Sequence, residues 1–200
     1  MRKSFERARE IFLRHNGILK LSQAKRQGID QKTLHEMLAE GLLVKETRGV
    51  FRLSDFPPLS NPDVIQVSIR VPSAVICLIS ALAFYNLTTQ IPNRVYIALP
   101  RRTQKPRVEY PPIDVVWLSD KPYSFGIEKH EIDKILVPVY SREKTIADCL
   151  KFRDKIGLNI ALESLKFYLR EPSPDIEKLL LSARVDRVET LMRHYVEAAL

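Results

Sequence analysis

Apolar positions in the first fifty residues recur at helical spacing and then give way to two short β-type runs. Phe5, Ala8, Ile11 and Phe12 line one face of a segment from 4 to 15, with Ser4 as its expected N-cap and Gly17 as its stop. An apolar piece at 18–21 leads to Ser22, the expected cap of a helix over "QAKRQ". Gly28 and Ile29 make a turn, Asp30 caps a second helix over 31–40, and Gly41 stands where a left-handed residue ends a helix. "LLVKE", "TRG" and "VFRL" then read as a hairpin. Three helices and a hairpin in this order predict a winged helix-turn-helix over 1–56.

The segment "SDFPPLSNPD" holds three prolines and little that can pack, so a linker is placed at 57–63. Beyond it the pattern changes. "VIQVSIRV" (64–71) predicts a strand, and an apolar helix is expected from about Ser73 to Tyr85. "RVYIALP", "IDVVWLS", "SFGIEKHEI" and "ILVPVYS" predict four more strands. From Ser141 onward stripes such as Leu158, Ala161, Leu162, Leu165 and Leu169 are helical, with Pro172 and Pro174 interrupting them. Ser173 and Pro174 are expected to start the next helix, and Val185, Val188, Leu191, Met192 and Tyr195 stripe the last. The fold class is therefore α+β: a winged helix-turn-helix, then over 64–200 a mixed-sheet domain with a helical C-terminal tail.

Charge sharpens this picture. The net formal charge is +8. Residues 1–56 carry twelve basic and seven acidic side chains, against twenty and seventeen in the remainder, so the surplus is concentrated in the winged helix. A polyanionic partner such as nucleic acid is favoured by that balance. Cys77 and Cys149 sit in apolar patterns far apart, as reduced core thiols of a cytoplasmic protein do. The N-terminus has no signal-peptide pattern, and the longest apolar run, from Val71 to Leu87, is too short and too interrupted to span a bilayer. No membrane partner is expected.

With Leu34 at the centre of the buried face of the 31–40 helix, Met37 and Leu38 flank it at 100° per residue. Lys32, His35, Glu36 and Ala39 then lie outward, with Gln31 at the exposed N-terminal end. In helix-turn-helix docking that end meets base edges. Lys32 suits guanine acceptors, Gln31 suits adenine, Ala39 suits a thymine methyl, and His35 can donate to a base or a phosphate. Glu36 is expected to pair with Lys32 one turn back. Lys25 and Arg26 on the preceding helix, and Lys45, Arg48 and Arg52 on the hairpin, flank this face, with Arg48 at the wing tip. Winged helices also dock proteins, and scattered cations are often only a solvated face. Cap, glycine turn, wing and charge together favour DNA.

The stretch "LKLSQAKRQGIDQKTLHEMLAEGLLVKETRGVFRL" resembles the N-terminal winged-helix module of AbiEi-family antitoxins. "ISALAFYNLTTQIPNRVYIALPR" and "SREKTIADCLKFRDKIGLNIALESLKFYL" resemble the antitoxin domain of the same family. The resemblance implies the antitoxin half of a toxin–antitoxin, phage-defence (abortive infection) pair. Such a protein binds inverted repeats upstream of its own operon, represses it, and counteracts a nucleotidyltransferase-type toxin through its C-terminal domain. Inverted repeats suit paired protein copies, so self-association on DNA is expected.

The loop "RRTQKPR" places Arg101, Arg102, Lys105 and Arg107 between two strands, as an additional contact for DNA or a partner, or as plain soluble surface. Enzyme readings fare less well. The chain has six glycines and no G-x-x-x-x-G-K-[ST], G-x-G-x-x-G or G-x-S-x-G. His15, His35, His130 and His194 are dispersed, so no metal or other cofactor is expected. In "EKHEID", Glu128 and His130 share a strand face. A nuclease reading would join Asp114 to Glu128, but the residue two past Glu128 is His130 rather than lysine. Asp148, amid apolar positions, is expected to bond a backbone amide or to sit at the core rim. The alternative to an antitoxin is a stand-alone regulator whose second domain senses a small ligand.

Overall fold

The computed structural model describes residues 2–199 except 48 and 134. The chain divides into two compact units, Met1–Pro62 and Asp63–Leu200.

In the first unit α1 (Lys3–Arg14) is followed by β1 (Ile18–Lys20), α2 (Leu21–Arg26), α3 (Gln31–Ala39), β2 (Leu43–Thr47) and β3 (Val50–Leu53). The sheet is antiparallel in the order β1-β3-β2. Phe5, Ala8, Ile11 and Phe12 of α1 meet Leu34 and Met37 of α3 and Phe51 and Leu53 of β3 in one core. Between α2 and α3, Gly28 has φ +84°, and the Ile29 amide donates to the Ala24 carbonyl at 2.9 Å. That left-handed conformation closes α2 and reverses the chain in two residues, a geometry that side-chain-bearing residues adopt at a cost. Two expectations shift here. Arg2, rather than Ser4, is the N-cap of α1 and makes no side-chain cap, while α2 begins at Leu21, so Ser22 lies inside it. The piece at 18–21 supplies the third strand of the wing sheet, which the sequence pattern left unassigned.

The second unit starts with α4 (Pro62–Arg70), where a strand was expected. Pro62 stands at the first helical position, where its missing N–H costs nothing, and Asp63 complements the helix dipole. Val64, Ile65 and Val67 are all buried, so the β-branched run reflects burial rather than pleating. The expected 73–85 helix is instead β4 (Val75–Ile76) followed by α5 (Leu78–Phe84). The chain continues through β5 (Val95–Pro100), β6 (Ile113–Leu118), α6 (Asp120–Ser124), β7 (Ile127–Ile132) and β8 (Ile135–Tyr140). α7 (Arg142–Lys151), α8 (Arg153–Ile156), α9 (Leu158–Leu169), α10 (Ile176–Val185) and α11 (Glu189–Ala199) complete it. Asp175, not Ser173, caps α10.

The sheet order is β6-β5-β4-β8-β7. Short β4 is central, antiparallel to β5 and parallel to β8, while β6 runs parallel to β5 and β7 antiparallel to β8. α7 packs on α5, α9 and α10, and its Ile146, Ala147, Cys149 and Leu150 enter the core with Tyr140, Leu165 and Leu179. Cys77 and Cys149 are buried free thiols, and burial pushes both thiols well above their ordinary range. The fold is α+β. Among the described residues no helix is long and apolar enough to cross a membrane.

Candidate nucleic-acid interface

α3 exists as a presented helix because its cap, its face and its end are each specified locally. The Asp30 carboxylate accepts from the Thr33 amide at 2.6 Å, and that bond holds its carboxyl below the usual carboxylate range. Thr33, Leu34 and Met37 are buried, whereas Gln31, Lys32, His35 and Ala39 are exposed. The expected outward arc is therefore open.

Its electrostatics differ in one respect from expectation. Lys32 Nζ lies 3.9 Å from Glu36 Oε1, a loose pair, and the lysine side chain is 85% exposed. The tight partner of Glu36 is Arg2, whose Nη1 donates to Glu36 Oε2 at 2.7 Å. Arg2 thus takes up the Glu36 carboxylate, lies 3.9 Å from Glu40 as well, and leaves the Lys32 ammonium only loosely held. Thirty-four residues separate Arg2 from Glu36, so no local spacing rule reveals the pair. His35 Nδ1 lies 2.8 Å from the Gln31 carbonyl oxygen, to which only a protonated ring nitrogen can donate. Nε2 is then an acceptor in the neutral ring and a donor only in the charged one.

Lys25 and Arg26 are exposed on α2, and Arg26 donates from Nε to the Ser22 carbonyl at 3.3 Å. Lys45 is exposed on β2, the outer strand of the wing. Arg48 lies outside the described residues. Arg52 requires correction. It is 8% exposed, its Nε is paired with Glu46, and its Nη1 donates to the Leu53 carbonyl at 3.0 Å and to the Phe56 carbonyl. The β3 segment Val50–Leu53 is buried throughout, and Arg52 ties the wing to the chain leaving it, where an outward-facing cation was expected.

In the second unit the nuclease arrangement does not form. Asp114 lies on β6 and Glu128 on β7, at opposite edges of the sheet, four strand spacings or about 19 Å apart. Asp114 pairs instead with Lys155 and, at 3.9 Å, with Arg94. Glu128 and His130 do share a face, and both reach Tyr85. The Tyr85 hydroxyl donates to Glu128 Oε2 at 3.1 Å, so His130 Nε2, 2.9 Å away, is the donor to the phenol oxygen. Burial and then the Glu128 charge raise the Tyr85 phenol above its ordinary value. Among the described residues no three His, Cys, Asp or Glu side chains group as a metal site.

Asp148 is neither at the core rim nor bonded to a backbone amide. Its Oδ1 accepts from Lys144 Nζ at 2.6 Å, and the same ammonium donates to Asp186 Oδ2 at 3.0 Å. All three side chains are buried, with Lys144 wholly so. Burial pushes the Asp148 carboxyl up to about 7, against the pull of Lys144 and with the push of Asp186. Burial alone would lower Lys144, but the two carboxylates outweigh it and hold the ammonium charged. This cluster joins α7 to the C-cap of α10.

The loop carrying Arg101, Arg102, Lys105 and Arg107 is exposed at all four cations.

No curated protein matches the chain. Its fold is similar to that of the RV2827C protein from Mycobacterium tuberculosis, with a TM-score of 0.57 at 12% identity, over 98% of this chain and 82% of that one. Residues 6–54, the span from α1 through the wing, match the family model described as "Transcriptional regulator, AbiEi antitoxin".

Proposed function

We propose that the protein is an antitoxin and a transcriptional autorepressor of its own toxin–antitoxin operon. The observation that carries this reading is the family match over 6–54, on the very span whose α3 presents Gln31, Lys32 and His35 from a capped and closed helix. In this reading residues 1–56 bind double-stranded operator DNA in the cytoplasm. Gln31, Lys32 and His35 lie toward the major groove, with Lys25, Arg26 and Lys45 on flanking phosphates. Two copies occupy an inverted repeat, and residues 64–200 counteract a nucleotidyltransferase-type toxin without catalysing a reaction. The antitoxin part rests on the family resemblance, the DNA part on the geometry of α3.

The test is binding of the whole protein to labelled DNA from upstream of its own gene, at rising salt and with unrelated competitor DNA. Specific binding that weakens steeply with salt, together with a neighbouring gene whose toxicity this protein relieves, supports the reading. Binding equal to that of the competitor overturns the repressor. Unrelieved toxicity overturns the antitoxin.

A further inference from the structure

Most cations of the second unit whose partners are described sit against carboxylates: Arg94 and Lys155 on Asp114, Arg142 on Glu171, Lys151 on Asp186, Lys178 on Glu143. The loop from 101 to 112 instead gathers four cations within seven residues. Arg101, Arg102, Lys105 and Arg107 are exposed, and none of the four forms an ion pair with a described residue. Glu109 is the loop's single acid.

The loop is also held in shape. The Arg101 amide donates to the Leu118 carbonyl at 2.7 Å, and the Thr103 hydroxyl donates to the Pro100 carbonyl at 2.8 Å. Arg70 donates to the Tyr110 carbonyl at 3.0 Å. Arg102 has φ +75°, a left-handed turn position. The backbone at both ends of the loop is thus fixed before any anion arrives, so ordering falls on the four side chains.

Trp117 lies beside this loop. On β6 its neighbours Val116 and Leu118 are buried, but Trp117 is 42% exposed. Its indole Nε1 donates to the Thr103 carbonyl at 3.0 Å, which ties the ring to the loop and satisfies its only polar atom. What remains uncovered is apolar aromatic surface adjoining unpaired positive charge. Tyr110, 61% exposed, is a second aromatic on the same loop.

Unpaired cations fit phosphates, and an uncovered indole fits the face of a base. A duplex keeps its base faces stacked inside; a single strand offers them. We propose that Trp117 and the 101–107 loop form a binding platform for single-stranded nucleic acid, with a base stacked on Trp117 and phosphates on Arg101, Arg102, Lys105 and Arg107. Charges also guard an open sheet edge such as β6. That role alone predicts no contact at the indole.

Trp117 is the only tryptophan beside seven tyrosines, so emission excited selectively at the indole reports on this site. The experiment titrates the full protein with thymidine and uridine oligomers of about a dozen nucleotides, and with a mixed-sequence duplex of the same length. Expected is quenching by the single strands, weakening with salt, and much less by the duplex. The two oligomers distinguish DNA from RNA as the source of the strand. With labelled oligomers, Trp117→Ala should lose about tenfold in affinity and Trp117→Phe should retain most of it. The fourfold Ala variant of the loop cations should abolish binding, with circular dichroism confirming that it is folded. A Lys25→Ala, Lys32→Ala variant should lose operator binding and keep oligomer binding, which separates failure here from failure of the repressor reading. Absent quenching, equal quenching by the duplex, or an unchanged fourfold variant would overturn the platform. So would quenching by an acidic protein partner alone.

Discussion

Arg2 Nη1 stands 2.7 Å from Glu36 Oε2, so a residue at the start of α1 neutralises the carboxylate on the face that α3 turns outward. The consequence is a recognition helix whose local charge is set by a partner on another helix. Glu36→Gln should tighten DNA binding by about two- to fivefold, the scale of one exposed charge pair. Arg2→Ala should weaken it by a similar factor. Fluorescence anisotropy with operator DNA checks both, and a change of sign in either sinks the account.

Lys32, loosely held and largely exposed, should behave as a free cation at the DNA. Lys32→Ala should lower affinity for the operator by about tenfold and for unrelated DNA far less, as loss of a base-edge contact does. An equal loss on both would place Lys32 at the phosphates instead.

Arg52 should matter for a different reason. Its removal takes the guanidinium from the partly buried Glu46 and one donor from each of the Leu53 and Phe56 carbonyls. Arg52→Ala should destabilise the first unit by about 3–5 kcal/mol. Lys25→Ala, at an exposed position, should leave the melting temperature nearly unchanged. Comparing the two melts tests the division between holding the wing and touching DNA.

Asp148 gives a pH signature. Its carboxyl titrates near 7 in the folded protein, well above an ordinary carboxylate. Between about pH 4 and pH 7 the native state keeps a proton that the unfolded state releases, so this group makes stability fall as pH rises through that window. Lys144 and Asp186 face it, Lys151 reaches Asp186 in turn, and together they set the size of the effect. Asp148→Asn imitates the protonated form, and its amide oxygen can still accept from Lys144. The variant's stability relative to the parent should therefore rise from pH 5 to pH 8, measured by urea unfolding. A constant difference would show that Asp148 is ionised throughout.

The winged helix and most of the sheet were legible because their signals are local. Asp30, Gly28, Gly41 and the Leu34–Met37 stripe each specify their own few residues, and β5 to β8 fall where apolar runs predict strands. The failures at Val64–Val67, Arg52 and Asp148 share a cause, burial by other parts of the chain. Val64, Ile65 and Val67 look like a strand because several neighbours cover them, and only Pro62 and Asp63 betrayed the helix start. Arg52 looks like a wing contact until Glu46 and the Phe56 carbonyl enclose it. Asp148 finds one partner four residues away, but the cluster closes only through Asp186, which no spacing rule connects to it.

Lys144 reaches no solvent while α10 is docked on α7. Its amine is therefore silent toward acylating reagents in the native state, unlike the exposed lysines around it. The labelling rate of this single residue, followed by mass spectrometry, would become a clock for how often α10 leaves α7.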